Sequence, residues 1–164
     1  MSKKKILVFY HAHCFDGLLS AWVASLKLKK KADYFPVNYS DYQILKKIKG
    51  KTIYLLDLSL PKRIILALKK NQNYLILIDH HLSSEKFLDL FDEKIFDKNH
   101  SGCVLTFSYF FKKKKPFKIL KHIEDFDLWR FSFKNSLEIF AYLESLEPLD
   151  FKKINQLVKK IENE

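Results

Sequence analysis

Short apolar runs that alternate with segments of helical spacing constrain this chain more than any other feature. The runs lie at 6–10, 34–37, 52–57 and 74–79, each of ordinary strand length. Between the first two, residues 17–30 carry Leu18, Leu19, Trp22, Val23 and Leu26, a helical pattern. Residues 41–49 form a second helical segment that stops at Gly50, and Pro61 suits the first turn of a third helix ending near residue 71. The run at 74–79 is almost wholly apolar, as expected of a strand covered on both faces. This alternation predicts an α/β fold: a doubly wound, mostly parallel sheet with flanking helices. Beyond residue 100 the pattern is helical, over 101–111, 116–124 and 148–164. The four lysines at 112–115, followed by Pro116, read as a connection between helices.

With 164 residues, 48% of them hydrophobic and 15% aromatic, the chain can bury a core, and global disorder is excluded. The length fits one domain spanning 1–164. No apolar run reaches the roughly 18 residues of a membrane span. The start of the chain reads as a strand rather than a signal peptide, and two cysteines, Cys14 and Cys103, fit a reducing cytoplasm. The formal net charge of +11 suggests a polyanionic partner, but of the 30 basic residues only Arg63 and Arg130 are arginine. Glycine is scarce, with Gly17, Gly50 and Gly102 the only three, so each is expected to meet a backbone requirement.

Ligands of open parallel sheets bind at the carboxyl ends of the strands, and here three strands end in ionisable clusters. The first closes on His11, His13, Cys14 and Asp16; the third on Asp57; the fourth on Asp79, His80 and His81. Carboxylates gathered in this way repel one another, and a divalent cation relieves the repulsion. Mixed Asp and His donors suit Mn²⁺ or Zn²⁺ better than Ca²⁺. Two such ions, about 3.5–4 Å apart, can clamp a phosphoryl group and activate water, with Asp57 as the bridging carboxylate. A lone strand-end Asp is often only a helix cap; three clusters on consecutive strand ends are harder to explain structurally. Other chemistries lack their parts. No GxGxxG, Walker A, GxSxG or CxxC pattern occurs.

The segment Asp79-His80-His81 after an apolar strand, the upstream His11, Cys14, Asp16 and Gly17 (HxxCxDG), and the later Ser101-Gly102 together resemble the DHH phosphoesterase superfamily. The resemblance covers residues 5 to about 132 and is nearest to the HxxCxDG branch, with RecJ-like exonucleases and nanoRNases that also dephosphorylate pAp among its relatives. It implies that His11, Asp16, Asp57 and His80 ligate metal, with Cys14 standing where many relatives place an Asp. Asp79 would hold the histidine pair and is a further candidate ligand, while His81 would face the substrate phosphate. Gly102 would open a helix whose N–H groups receive an anion, with His100 and Ser101 beside it. Asp127 is the favoured last ligand and Asp125 its alternate. Relatives normally continue into a smaller domain with a glycine-rich substrate-binding loop, which this chain lacks.

The resemblance implies a metal-dependent phosphoesterase, using Mn²⁺ (two ions, with Mg²⁺ or another divalent cation as substitutes), that acts on nucleotides or short oligonucleotides through metal-activated water. Phe15, Trp129 and Phe131 are candidates for stacking bases. A homodimer, or a separate chain supplying the missing domain, is the expected partner, and no membrane is. Two rival readings remain: a metal- and nucleotide-binding module with little turnover, and a general polyanion-binding protein.

Overall fold

The computed structural model describes residues 3–163. Strand β1 (Ile6–His11) leads through helix α1 (Phe15–Leu28) to β2 (Ala32–Val37); the single turn α2 (Tyr42–Leu45) then leads to β3 (Thr52–Leu56). Helix α3 (Lys62–Lys70) connects to β4 (Tyr74–Asp79), and the short α4 (Leu82–Glu85) to β5 (Glu93–Phe96). Four helices follow: α5 (Gly102–Phe110), α6 (Lys118–Asp127), α7 (Ser136–Ser145) and α8 (Phe151–Asn163).

All pairings are parallel, in the order β2-β1-β3-β4-β5. The fold is therefore α/β, and the order reverses between β1 and β3, which is where such sheets place their ligand crevice. Register then fixes the site. Tyr10 pairs with Leu56 and Leu56 with Ile78, so the next residues, His11, Asp57 and Asp79, stand side by side at one edge.

Alternation along the strands sorts the two faces. Leu7, Phe9, Ile53, Leu55, Leu75 and Leu77 pack on Ile64, Ile65 and Leu68 of α3 and on Leu45 of α2. Val8, Tyr54, Leu56, Ile76 and Ile78 face the other way, against Ala24 of α1 and Leu105 of α5. Helix α1 is covered on its far side too, because α6, α7 and α8 pack over α1 and α5 around Trp22, Phe107, Ile119 and Leu157. Trp22 Nε1 donates to Asn155 Oδ1 at 3.0 Å, tying α8 to α1.

Three elements depart from the sequence expectation. The helix expected over 41–49 is a single turn, and β5 and α7 were not expected at all. Strand β5 is four residues, mostly exposed, and lies at the sheet edge without an apolar pattern to announce it. Among the described residues no helix is long and apolar enough to cross a membrane.

Candidate metal centre

Asp57 is the centre of the site. It stands one residue past β3, keeps the ladder by donating its N–H to Ile78 O at 2.9 Å, and turns out of the strand at φ +52°. Asp tolerates this left-handed backbone better than most residues. Its carboxylate is 1% exposed. Oδ1 lies 3.2 Å from His80 Nε2 and 3.6 Å from His81 Nδ1, and Oδ2 lies 3.8 Å from His11 Nδ1. Burial works against its charge, but the nearby His11 imidazole and the hydrogen-bonded His80 outweigh it and hold the carboxyl down at about 2.

Around Asp57, ligand atoms fall into sets lying within 4.8 Å of one another. One set is His11, Cys14 and Asp57; another is Asp16, His80 and Asp127. His80 Nε2 is 3.7 Å from Asp16 Oδ2 and 3.6 Å from Asp127 Oδ2, so one imidazole nitrogen faces three carboxylates. Burial disfavours its charge; the Asp57 contact and the charges of Asp16 and Asp127 prevail and raise its pKa to about 9. Asp16, deprived of water and facing Asp57 and Asp127, is pushed up to about 8, and Asp127 shifts the same way for the same reasons. At Cys14, burial first and then the charges of Asp57 and Asp16 push the thiol well above its ordinary value.

These residues fit a cation. Asp57 Oδ2 is buried and has no hydrogen-bond donor, an unusual state for an ionised oxygen in a protein interior. The donor set of imidazole, carboxylate and thiol is that of borderline divalent metals. A metal ion could occupy the space that the Asp/His cluster surrounds.

The third set contains Asp57, Asp79, His80 and His81, but Asp79 is already engaged. Its Oδ1 accepts from the N–H groups of His80 (2.9 Å) and His81 (3.3 Å) and lies 2.7 Å from His81 Nδ1; Oδ2 accepts from Ser84 Oγ. With both oxygens hydrogen-bonded, Asp79 orients the histidine pair, and it stays among the residues that could also hold a cation. Its contact is the main reason the pKa of His81 is raised, although burial opposes it.

The α5 N-terminus also departs from expectation. Asp16 reaches across the sheet edge and accepts from Gly102 N (2.6 Å) and Cys103 N (2.9 Å), while Glu124 accepts from Ser101 N at 3.0 Å. The donors expected to receive a substrate anion are filled by the protein's own carboxylates. His100 Nδ1 turns to Glu124 Oε2 at 3.1 Å, away from the cluster. Gly102 N, with Cys103 N, therefore positions Asp16, while Ser101 N and His100 Nδ1 are taken up by Glu124. Gly102 has a packing reason: a Cβ there would stand 2.7 Å from the Asp57 Cβ and 2.9 Å from Asp16 Oδ2.

Asp125 and Asp127 separate cleanly. Asp125 is buried and accepts from Ser132 N, Phe133 N and Ser136 Oγ, so it shapes the loop after α6; Asp127 faces His80. Of the aromatics, Phe15 is a core residue packed against Phe140 and cannot stack a base, whereas Trp129 and Phe131 are exposed. Tyr39 was missed by sequence reasoning. It follows β2 at the same sheet edge, sits edge-on to His11, and with Tyr42, Ser59 and His81 lines a cavity of about 320 Å³ that opens beside Asp57. Its only sequence signal was its place after a strand whose end carries no charge. A second cleft, of about 300 Å³, reaches Cys14, Asp16 and Asp127.

Fold and site together define a doubly wound α/β protein with a carboxylate–imidazole–thiol cluster at its topological switch point. No protein-family profile matches the chain. It is similar to the uncharacterized protein R106 of Acanthamoeba polyphaga mimivirus, with 30% identity over 153 residues and 83% of this chain. The chain spans about a third of that relative, 36% of its length. Its fold is similar to that of the crystal structure of an uncharacterized protein from Helicobacter pylori G27, at a TM-score of 0.61 and 17% identity, covering 79% of this chain and 45% of the other.

Proposed function

We propose that the chain is a metal-dependent phosphoesterase of the DHH type, hydrolysing phosphodiester or phosphomonoester bonds of nucleotides or short oligonucleotides. The observation that carries this reading is the buried, donorless Oδ2 of Asp57, set between the His11–Cys14 and the Asp16–His80–Asp127 groups. In this reading His11, Cys14, Asp16, Asp57, His80 and Asp127 would hold Mn²⁺. When bound, the ions supply Lewis acidity that lowers the pKa of water and neutralises phosphate charge.

The chain's own residues do the rest. His81 is locked by Asp79 and stays partly exposed at the cavity wall, where its Nε2 can donate to a phosphate oxygen as charge builds on it. The contact with Asp79 raises the pKa of His81, which favours the protonated ring that carries this donor. Ser59 and Tyr39 line the same cavity and face the nucleoside portion. Asp79 acts through His81 and is a positioning residue.

The test is a panel of a dinucleotide, pAp, a cyclic dinucleotide and pyrophosphate, each offered with Mn²⁺. At least one is expected to turn over, to stop with chelator, and to slow by on the order of 100-fold or more in Asp57→Asn. Cys14 favours one rival, because a neutral thiol in place of a carboxylate weakens that side of the site. If Mn²⁺ and a nucleotide bind but no substrate turns over, the chain is a binding module and not a hydrolase.

A further inference from the structure

Two residues beyond Asp127 the chain leaves α6 in a loop that sets three aromatic rings at the surface. Trp129 is 79% exposed, Phe131 43% and Phe133 51%. The backbone that presents them is strained: Trp129 has φ +53° and Phe131 φ +48°, conformations bulky side chains rarely adopt. Asp125 holds it there. Its carboxylate accepts from Ser132 N (2.8 Å) and Phe133 N (3.0 Å), and its carbonyl from Arg130 N (2.9 Å). A buried carboxylate that fixes a strained, solvent-facing aromatic loop points to presentation of those rings rather than to core packing.

The rings are also spaced by charge. Residues 129–134 read Trp-Arg-Phe-Ser-Phe-Lys; Arg130 donates to Asn99 O and pairs with Glu124 Oε1 at 3.6 Å, and Lys134 is exposed. Trp129 and Phe131 meet edge to face, with centroids 5.7 Å apart, which leaves a face of the indole available. Aromatic faces interleaved with Lys and Arg are the recognition chemistry of single-stranded nucleic acid: bases stack and phosphates pair with the cations.

We propose that the loop at 129–134 is a stacking platform for single-stranded nucleic acid, with Trp129 and Phe131 receiving bases and Arg130 and Lys134 meeting the phosphates. The delivery of the strand toward Asp127 for hydrolysis rests on the phosphoesterase reading; binding to the platform does not.

The two tryptophans make the test specific, since Trp22 is 1% exposed and Trp129 is the accessible one. The full chain in chelator is titrated with an adenine homooligonucleotide of about eight residues, as RNA and as DNA. Saturable quenching of tryptophan emission is expected. Labelled-strand anisotropy should show affinity falling roughly tenfold in Trp129→Asn, a residue that tolerates the left-handed backbone, and similarly in Phe131→Ala. Unquenched emission, equal affinity in these variants, or loss instead of a concentration-dependent dimer on Trp129→Asn would overturn the proposal. Failure here with a small substrate still hydrolysed leaves the phosphoesterase reading standing. Binding without turnover of any substrate in the panel removes that reading and leaves the platform.

Discussion

Proton traffic at Asp16, Asp57 and His80 gives the site a pH signature. Asp16 and His80 keep their protons in the folded chain to about 8 and about 9, whereas an unfolded chain releases them near their ordinary values of 3.8 and 6.5. The stability those protons confer is complete below the ordinary values and is lost as pH rises through the folded ones. Asp57 runs the other way: held at about 2, it adds stability above its ordinary 3.8, which is lost as pH falls through 2. A divalent cation at the cluster would take the place of the high-pKa protons. Thermal melts in chelator and in Mn²⁺ should therefore diverge as pH rises from 6.5 to 9, with the largest cation-induced increase in Tm at the alkaline end. An increase of equal size at both ends would contradict the assignment of these groups to the cation.

Between β1 and α1, and between the end of β3 and α5, the elements approach so closely that only glycine fits at two positions. A Cβ at Gly102 meets the Asp57 Cβ at 2.7 Å, and one at Gly17 meets His11 O at 2.4 Å. Neither neighbour is the end of a flexible side chain, so something must shift. Gly102→Ala should cost about 1–3 kcal/mol in denaturant unfolding and weaken cation binding through displaced Asp57 and Asp16. Unchanged stability and affinity would show that the contact is not required. At this scale much was legible in the sequence. Strand ends at His11, Asp57 and Asp79 followed from apolar runs that stop on ionisable residues, and scarce glycine marked the tight contacts. The occupancy of the α5 N-terminus was not legible, because Asp16 and Gly102 are 86 residues apart and nothing local says that the carboxylate of one caps the other. Strand β5 escaped because an exposed edge strand of four residues has no buried face to impose a period.

The molecule as a whole is a doubly wound sheet with an extra helical layer, and the two tryptophans report on its core and its surface. Trp22 lies where α1, α6 and α8 meet and hydrogen-bonds Asn155, so Trp22→Ala should cost about 3–5 kcal/mol. Trp129→Asn, at a solvent-facing position with a backbone Asn accepts, should leave the denaturation midpoint nearly unchanged. The +11 charge sits on a lysine-rich surface, whereas the cleft beside Cys14 is acidic, lined by Asp16, Asp127, Glu144 and Glu147. That contrast favours a cation at the cluster and an anionic ligand around it. In the proposed site Asp57 is the shared seat of that cation. Equilibrium dialysis against Mn²⁺, followed by metal analysis and hydrolysis assays on the same samples, tests it most directly. The wild-type chain should retain Mn²⁺ and hydrolyse a phosphate ester, and Asp57→Asn should lose both together; a wild-type chain that retains no Mn²⁺, or an Asp57→Asn chain that matches it in metal and rate, would contradict the claim.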